Sequence, residues 1–223
     1  MIRKILCFLL FSSACCFSLM AQWSAGLSGG ATLNFLEWKI QPLQVDLAFD
    51  PHLGWRTAGH LEYAFSPAAA LRADMAYQVI GSNLSDLTDE NGEVINGKFV
   101  NTYHTVGGSL LLKISPVKRV QNLYLLAGPT VAQIIRGHKQ LKVKFPGQVE
   151  NRDKQKIDLD ADKIRRTHWI ADLGIGYGIA CGARGRIAAE CRYQYGLSDF
   201  STSEQVKARM QTVLLTAGYF YSL

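Results

Sequence analysis

From Trp169 to Cys181 the chain alternates with a period of two residues. The odd positions Trp169, Ala171, Leu173, Ile175, Tyr177, Ile179 and Cys181 are all apolar. The even positions from 172 to 180 are Asp172, Gly174, Gly176, Gly178 and Ala180. A period of two is the signature of a β-strand, whose side chains point alternately to opposite faces. The same alternation recurs along most of the chain, and helical periodicity is nearly absent. In the following segment Ile187, Ala189, Cys191, Tyr193, Tyr195 and Leu197 share one face. Arg186, Ala188, Glu190, Arg192, Gln194 and Gly196 share the other. A soluble sandwich also alternates. Here, however, each bulky apolar face backs onto a face of glycine and charge, which is how a narrow barrel lumen is lined.

Eight such segments are predicted as strands: 24–36, 53–65, 69–80, 103–114, 123–135, 169–181, 187–197 and 211–223. Each is long enough for the roughly 9–11 residues that cross a bilayer at a tilt. The segment 123–135 is apolar on both faces and contains Pro129, which predicts a bulge or kink there. The connections alternate in length. Those after strands two, four and six are short: Ser66-Pro67-Ala68, residues 115–122 and residues 182–186. Those after strands one, three, five and seven are long: residues 37–52, 81–102, 136–168 and 198–210. Short periplasmic turns alternating with long surface loops characterise outer-membrane barrels, and an even strand count places both termini in the periplasm. The expected fold is therefore all-β, an eight-stranded antiparallel up-and-down transmembrane barrel.

Composition agrees with this reading. The chain has 223 residues, of which 48% are hydrophobic, yet its mean hydropathy is only +0.03. A barrel hides its apolar residues by alternation, whereas a helical span needs a run of about 20. The start of the chain reads as a secretory signal. Arg3 and Lys4 precede an apolar stretch, Ile5 to Phe11, and small residues lead to Ala21-Gln22. Residues 1–21 are assigned to the signal peptide and 22–223 to the barrel domain. Without Arg3 and Lys4 the formal charge falls from +6 to +4. The segment Arg136 to His168 holds ten Lys/Arg against five Asp/Glu, a net of +5, which leaves the rest near −1. An exported chain with its positive charge in one loop is not expected to bind nucleic acid.

Aromatic residues gather near the strand ends. Trp55, Tyr77, Trp169, Tyr193 and Tyr195 fall toward the long-loop side, and Tyr63, Phe65, Tyr219 and Tyr221 toward the other. All point outward by parity, as two interfacial girdles would. The segments Cys191-Arg192-Tyr193-Gln194-Tyr195-Gly196-Leu197-Ser198-Asp199 and Leu215-Thr216-Ala217-Gly218-Tyr219-Phe220 resemble the closing signature of PorT-type outer-membrane barrels of Bacteroidota. Leu123-Tyr124-Leu125-Leu126-Ala127-Gly128-Pro129, Glu62 to Pro67 and Tyr77 to Gly81 are similar to central hairpins of that family, and a signal ending Met20-Ala21-Gln22 is typical of the phylum. The resemblance covers essentially the whole chain after the signal. It implies no shared catalytic residues, and it implies that some members serve type IX secretion.

Parity places Arg56, His60, Glu62, Arg72, Asp74, Gln78, Lys113, Asp172, Glu190, Arg192 and Gln194 inside the barrel. That makes four permanent cations and four anions in a lumen just wide enough for side chains, so a balanced ion network that plugs it is expected. A three-residue turn at 66–68 would set Glu62 opposite Arg72 and His60 opposite Asp74. Catalysis is not expected: His104 and Ser109, the nearest base and hydroxyl, have opposite parity. Asp158, Asp160 and Asp162 alternate, but the positions where a calcium loop needs Gly and Glu hold Lys163 and Trp169. No metal or cofactor is expected. Cys181 and Cys191 remain after the signal. A turn at Ala183-Arg184-Gly185 would set Cys181 opposite Ile187 and Cys191 opposite Tyr177, too far apart to bridge.

The loop 136–168 is the candidate binding segment, with Lys139, Lys142, Lys144, Arg152, Lys154, Lys156, Lys163, Arg165 and Arg166 as its cations. Expected partners are outer-membrane lipids and lipopolysaccharide, the barrel-assembly machinery, and envelope or secretion proteins. Three tasks stay open at this point: a non-enzymatic envelope protein that binds through its loops, an accessory component of type IX secretion, and a lipid A-modifying enzyme.

Overall fold

The computed structural model describes residues 22–40, 45–48, 50–84, 87–88, 94–95, 97–116, 122–145, 148–151, 154–202 and 206–223. The signal assigned to 1–21 lies outside them. Eight long strands carry the fold: β1 (Gln22–Ile40), β2 (His52–Ser66), β3 (Ala69–Leu84), β4 (Gly97–Ile114), β5 (Leu123–Phe145), β6 (Thr167–Cys181), β7 (Gly185–Gly196) and β8 (Val206–Ser222). Each pairs antiparallel with its sequence neighbours. β8 also pairs with β1, from Ser24 opposite Ser222 to Ile40 opposite Val206, and this closes the barrel. Closure leaves no unpaired sheet edge, which a bilayer would not tolerate.

Most strands outrun the lengths read from sequence at the long-loop end. β4 and β5 stay paired as far as Gly97 opposite Val143, and the ribbons Gln148–Asn151 and Gln155–Lys156 add to β5. Lys139, Lys142 and Lys144 therefore stand on a strand and not in a loop. The period of two continues there as Leu141, Val143 and Phe145 against Lys142 and Lys144; the charges conceal it.

Pro129 makes no bulge. It points outward, and the ladder between β4 and β5 passes from Ser109–Thr130 to Leu112–Ala127 without a change of register. A missing N–H removes a ladder hydrogen bond but need not shift the strands. The shift lies instead between His104 and Thr105, where β5 carries one extra residue opposite them. At the other end, the β2–β3 turn is Pro67-Ala68, with a register shift between Ala64 and Ser66. The β6–β7 turn is 182–184, opened by Gly182 at φ +75°. Cys181 consequently faces Gly185 and Cys191 faces Ile175, two residues from the expected pairing. Both thiols are free and exposed on the outer face.

Burial is inverted relative to a water-soluble fold. Leu27, Leu53 and Met75 are more than 70% exposed, while Arg72 is fully buried and Asp172 nearly so. An apolar outer band of this extent requires a non-aqueous surrounding. Inside, two apolar clusters bracket the charged middle. Leu111, Tyr124, Leu126, Ala188 and Phe220 lie toward the end with the termini. Leu36, Ile80, Tyr103, Ile134 and Phe200 lie toward the long-loop end, with Ile157, Leu159 and Ile164 from the β5–β6 connection folded onto them.

Candidate functional site: the barrel lumen and its two mouths

The lumen holds two charge clusters. In the middle, Arg72 on β3 donates from Nε to Asp74 Oδ1 at 2.7 Å and from Nη2 to Glu190 Oε2 at 3.0 Å, across the lumen on β7. Tyr124 Oη donates to Glu190 Oε1 at 2.7 Å. Asp74 also accepts from Arg192 Nη1 at 2.8 Å and lies 2.7 Å from His60 Nδ1; the other ring nitrogen of His60 meets Ser28 Oγ at 2.7 Å. Arg192 Nε and Gln194 Nε2 both reach Asp172, at 3.0 and 2.8 Å. Arg56 Nη2 lies 3.7 Å from Asp74 Oδ2, beyond hydrogen-bond distance. Gln78 lines a small cavity beside Arg56 and Gln194.

A second cluster sits nearer the termini. Lys113 Nζ donates to Glu62 Oε1 at 2.7 Å, and Arg186 Nη2 donates to Glu62 Oε2 at 3.2 Å. Glu62 and Arg72 are register neighbours, as are His60 and Asp74. Only the second pair bonds directly: Arg72 turns to Asp74 and Glu190, and Glu62 turns to Lys113 and Arg186. Direct opposition in a ladder fixes backbone register, while long side chains inside a closed barrel reach across to other strands. Buried charges are tolerated only when paired or hydrogen-bonded, and every carboxylate here has at least two cationic or hydrogen-bonding partners.

Arg186, Tyr124, Ser28 and Thr130 complete this interior and were not singled out from sequence. Arg186 lay on the inward face of the alternation but one residue before the predicted strand start. Thr130 Oγ1 donates to Ser109 Oγ at 2.8 Å in the apolar-looking strand β5, and Tyr124 is an aromatic among leucines. The glycines of β6 explain how such large groups fit. A Cβ on Gly176 would lie 2.3 Å from the Tyr124 ring, and one on Gly174 would lie 2.6 Å from Arg192 Cγ.

At the long-loop mouth, Lys154, Lys156, Lys163, Arg165 and Arg166 are exposed and Lys139 is half-buried. The side chains of Lys142 and Lys144, and all of Arg152, lie outside the described residues. Two aspartates of this segment, Asp158 and Asp160, are already engaged. Asp158 Oδ1 accepts the backbone N–H groups of Asp160 and Ala161, and the Asp160 carboxylate pairs with Arg166. Lys163 takes a left-handed backbone at φ +53°. Among the described residues no three His, Cys, Asp or Glu side chains gather as a metal site. His104 faces outward, 2.6 Å from Tyr77 Oη, and Ser109 faces the lumen, so the two do not meet.

A closed eight-stranded barrel with an apolar exterior and an ion-paired interior defines an integral outer-membrane barrel. The chain belongs to the family described as outer membrane protein β-barrel domain, which matches residues 17–202. No curated protein matches it. Among solved structures it is similar to OprG of Pseudomonas aeruginosa, at 11% identity and TM-score 0.42, covering 92% of this chain and 97% of that one. It is similar to the attachment invasion locus protein Ail of Yersinia pestis at 15% identity and TM-score 0.41, covering 90% and 99%. It is similar to the outer membrane protease OmpT of Escherichia coli at 13% identity and TM-score 0.47, covering 91% and 97%.

Proposed function

We propose that this outer-membrane barrel is a non-enzymatic envelope protein, plugged by its own side chains, that binds anionic surface partners through its long loops. The observation that carries the plug is the bridge from Asp74 through Arg72 to Glu190, which spans the lumen with fully buried groups. The opposed faces of His104 and Ser109 speak against a hydrolase, and an unchanged lipid A profile in a deletion strain is expected. In this reading both termini are periplasmic and the basic mouth lies at the cell surface. Exposed Lys154, Lys156, Lys163 and Arg165 there are suited to the phosphates of lipopolysaccharide.

The test is binding of purified lipopolysaccharide to the folded chain. Replacing those four cations with Gln is expected to weaken it by about tenfold or more, as screening by salt also would. Equal affinity of the two proteins would remove the loop from the account. The PorT-type motifs support, within the same proposal, reading the chain as a Bacteroidota barrel. Stoichiometric capture of secretion components from crosslinked envelopes would move its task to type IX secretion.

A further inference from the structure

The lumen is closed at one end and open at the other. At the long-loop end the cluster of Tyr103, Ile157, Leu159, Ile164 and Phe200 seals it. At the end with the termini it widens into a vestibule of about 380 Å³, between the Pro67-Ala68 and 182–184 turns. Lys113, Arg186 and Arg184 line this vestibule with a single carboxylate, Glu62.

Charge does not balance there. Among the described residues the lumen holds Arg56, Arg72, Lys113, Arg186 and Arg192 against Glu62, Asp74, Asp172 and Glu190, an excess of one cation. The four anions inside the central cluster and the vestibule are each already shared, and Glu62 serves two cations at once. Arg186 Nη2 donates to both Glu62 oxygens, at 3.2 and 3.4 Å, while its Nε is buried without an acceptor. The cations are also held in place. The Arg186 guanidinium lies 4.8 Å from the Phe220 ring centre and 5.8 Å from that of Tyr124, and Lys113 Nζ lies 4.6 Å from the Tyr124 ring. Aromatic faces favour cations and fix their direction.

We propose that this blind vestibule binds a small oxyanion, a carboxylate or phosphate group, between Arg186 and Lys113. Arg186, whose side chain is 29% exposed, lines the vestibule beside Lys113, and a guanidinium and an ammonium together suit the oxygens of either group. Low-dielectric walls around a dead-end cup concentrate the field of an uncompensated cation. Glu62 stays in the site and opposes the ligand, which sets a modest affinity. This site is independent of the loop-binding reading, since it lies at the opposite end of the barrel.

The experiment follows the Arg186 Nε–H resonance by NMR in the folded chain in detergent micelles, with Arg186→Gln assigning the signal. Sodium phosphate and sodium acetate are titrated separately at constant ionic strength made up with chloride. The expected result is a saturable shift with half-saturation of about 1–10 mM. Saturation by phosphate alone assigns phosphate groups, and saturation by acetate alone or by both extends the site to carboxylates. Glu62→Gln is expected to lower the half-saturation by about tenfold, because the opposing charge is gone. Lys113→Gln is expected to raise it, and it serves as the second variant if Arg186→Gln misfolds. A shift that saturates with neither salt, or that Arg166 on the surface shows equally, overturns the proposal.

Discussion

Arg72 and Glu62 stand opposite each other on β2 and β3, yet each is bonded to other residues. This distinction sets what single substitutions should do. Glu62→Gln combined with Lys113→Met should show a coupling of about 1–3 kcal/mol in unfolding by urea in detergent micelles, as directly bonded charges do. Glu62→Gln combined with Arg72→Met should be close to additive; a larger coupling for this second pair would contradict the bonding described here. Arg72→Met alone should cost about 3–5 kcal/mol, since it leaves the buried Glu190 carboxylate with only the Tyr124 hydroxyl among its described partners and takes one cation from Asp74. Which residues face inward was legible from parity alone. Which inward residues bond was not, because side-chain reach across a barrel depends on strands remote in sequence, such as Arg72 and Glu190, 118 residues apart.

At the level of the strand, alternation disclosed seven of the eight crossing elements and an apolar run the eighth, while the β6–β7 turn, read as Ala183-Arg184-Gly185, is opened by Gly182 instead. The ends were less legible. On β5 a string of lysines reads as loop by charge, although Leu141, Val143 and Phe145 keep the strand period between them. The β5–β6 connection hides its role for a similar reason. Ile157, Leu159 and Ile164 are scattered among charged residues, and only the fold shows that they meet Phe200 inside the mouth. That cap should be a separable unit. Phe200→Ala removes a fully buried ring, a loss of about 3–5 kcal/mol, and most of it should fall on this local structure. Limited trypsin digestion should then cut after Lys163, Arg165 and Arg166 at least about tenfold faster, leaving the barrel strands protected. Cleavage at an unchanged rate would mean that the cap does not depend on this contact.

For the whole molecule, the decisive property is which face meets lipid. The glycines of β6 make room for Tyr124, Arg192 and Arg186. The outer face can be probed at a native residue. Cys191 points outward on β7, in a row with Ile175 and Leu215 and far from either turn. A nitroxide attached there, in the chain from residue 22 with Cys181→Ser and reconstituted into liposomes, reports its surroundings by collision with oxygen and with a water-soluble nickel chelate. The account predicts high accessibility to oxygen, almost none to the chelate, and a depth near the bilayer centre. Ready collision with the chelate would contradict it.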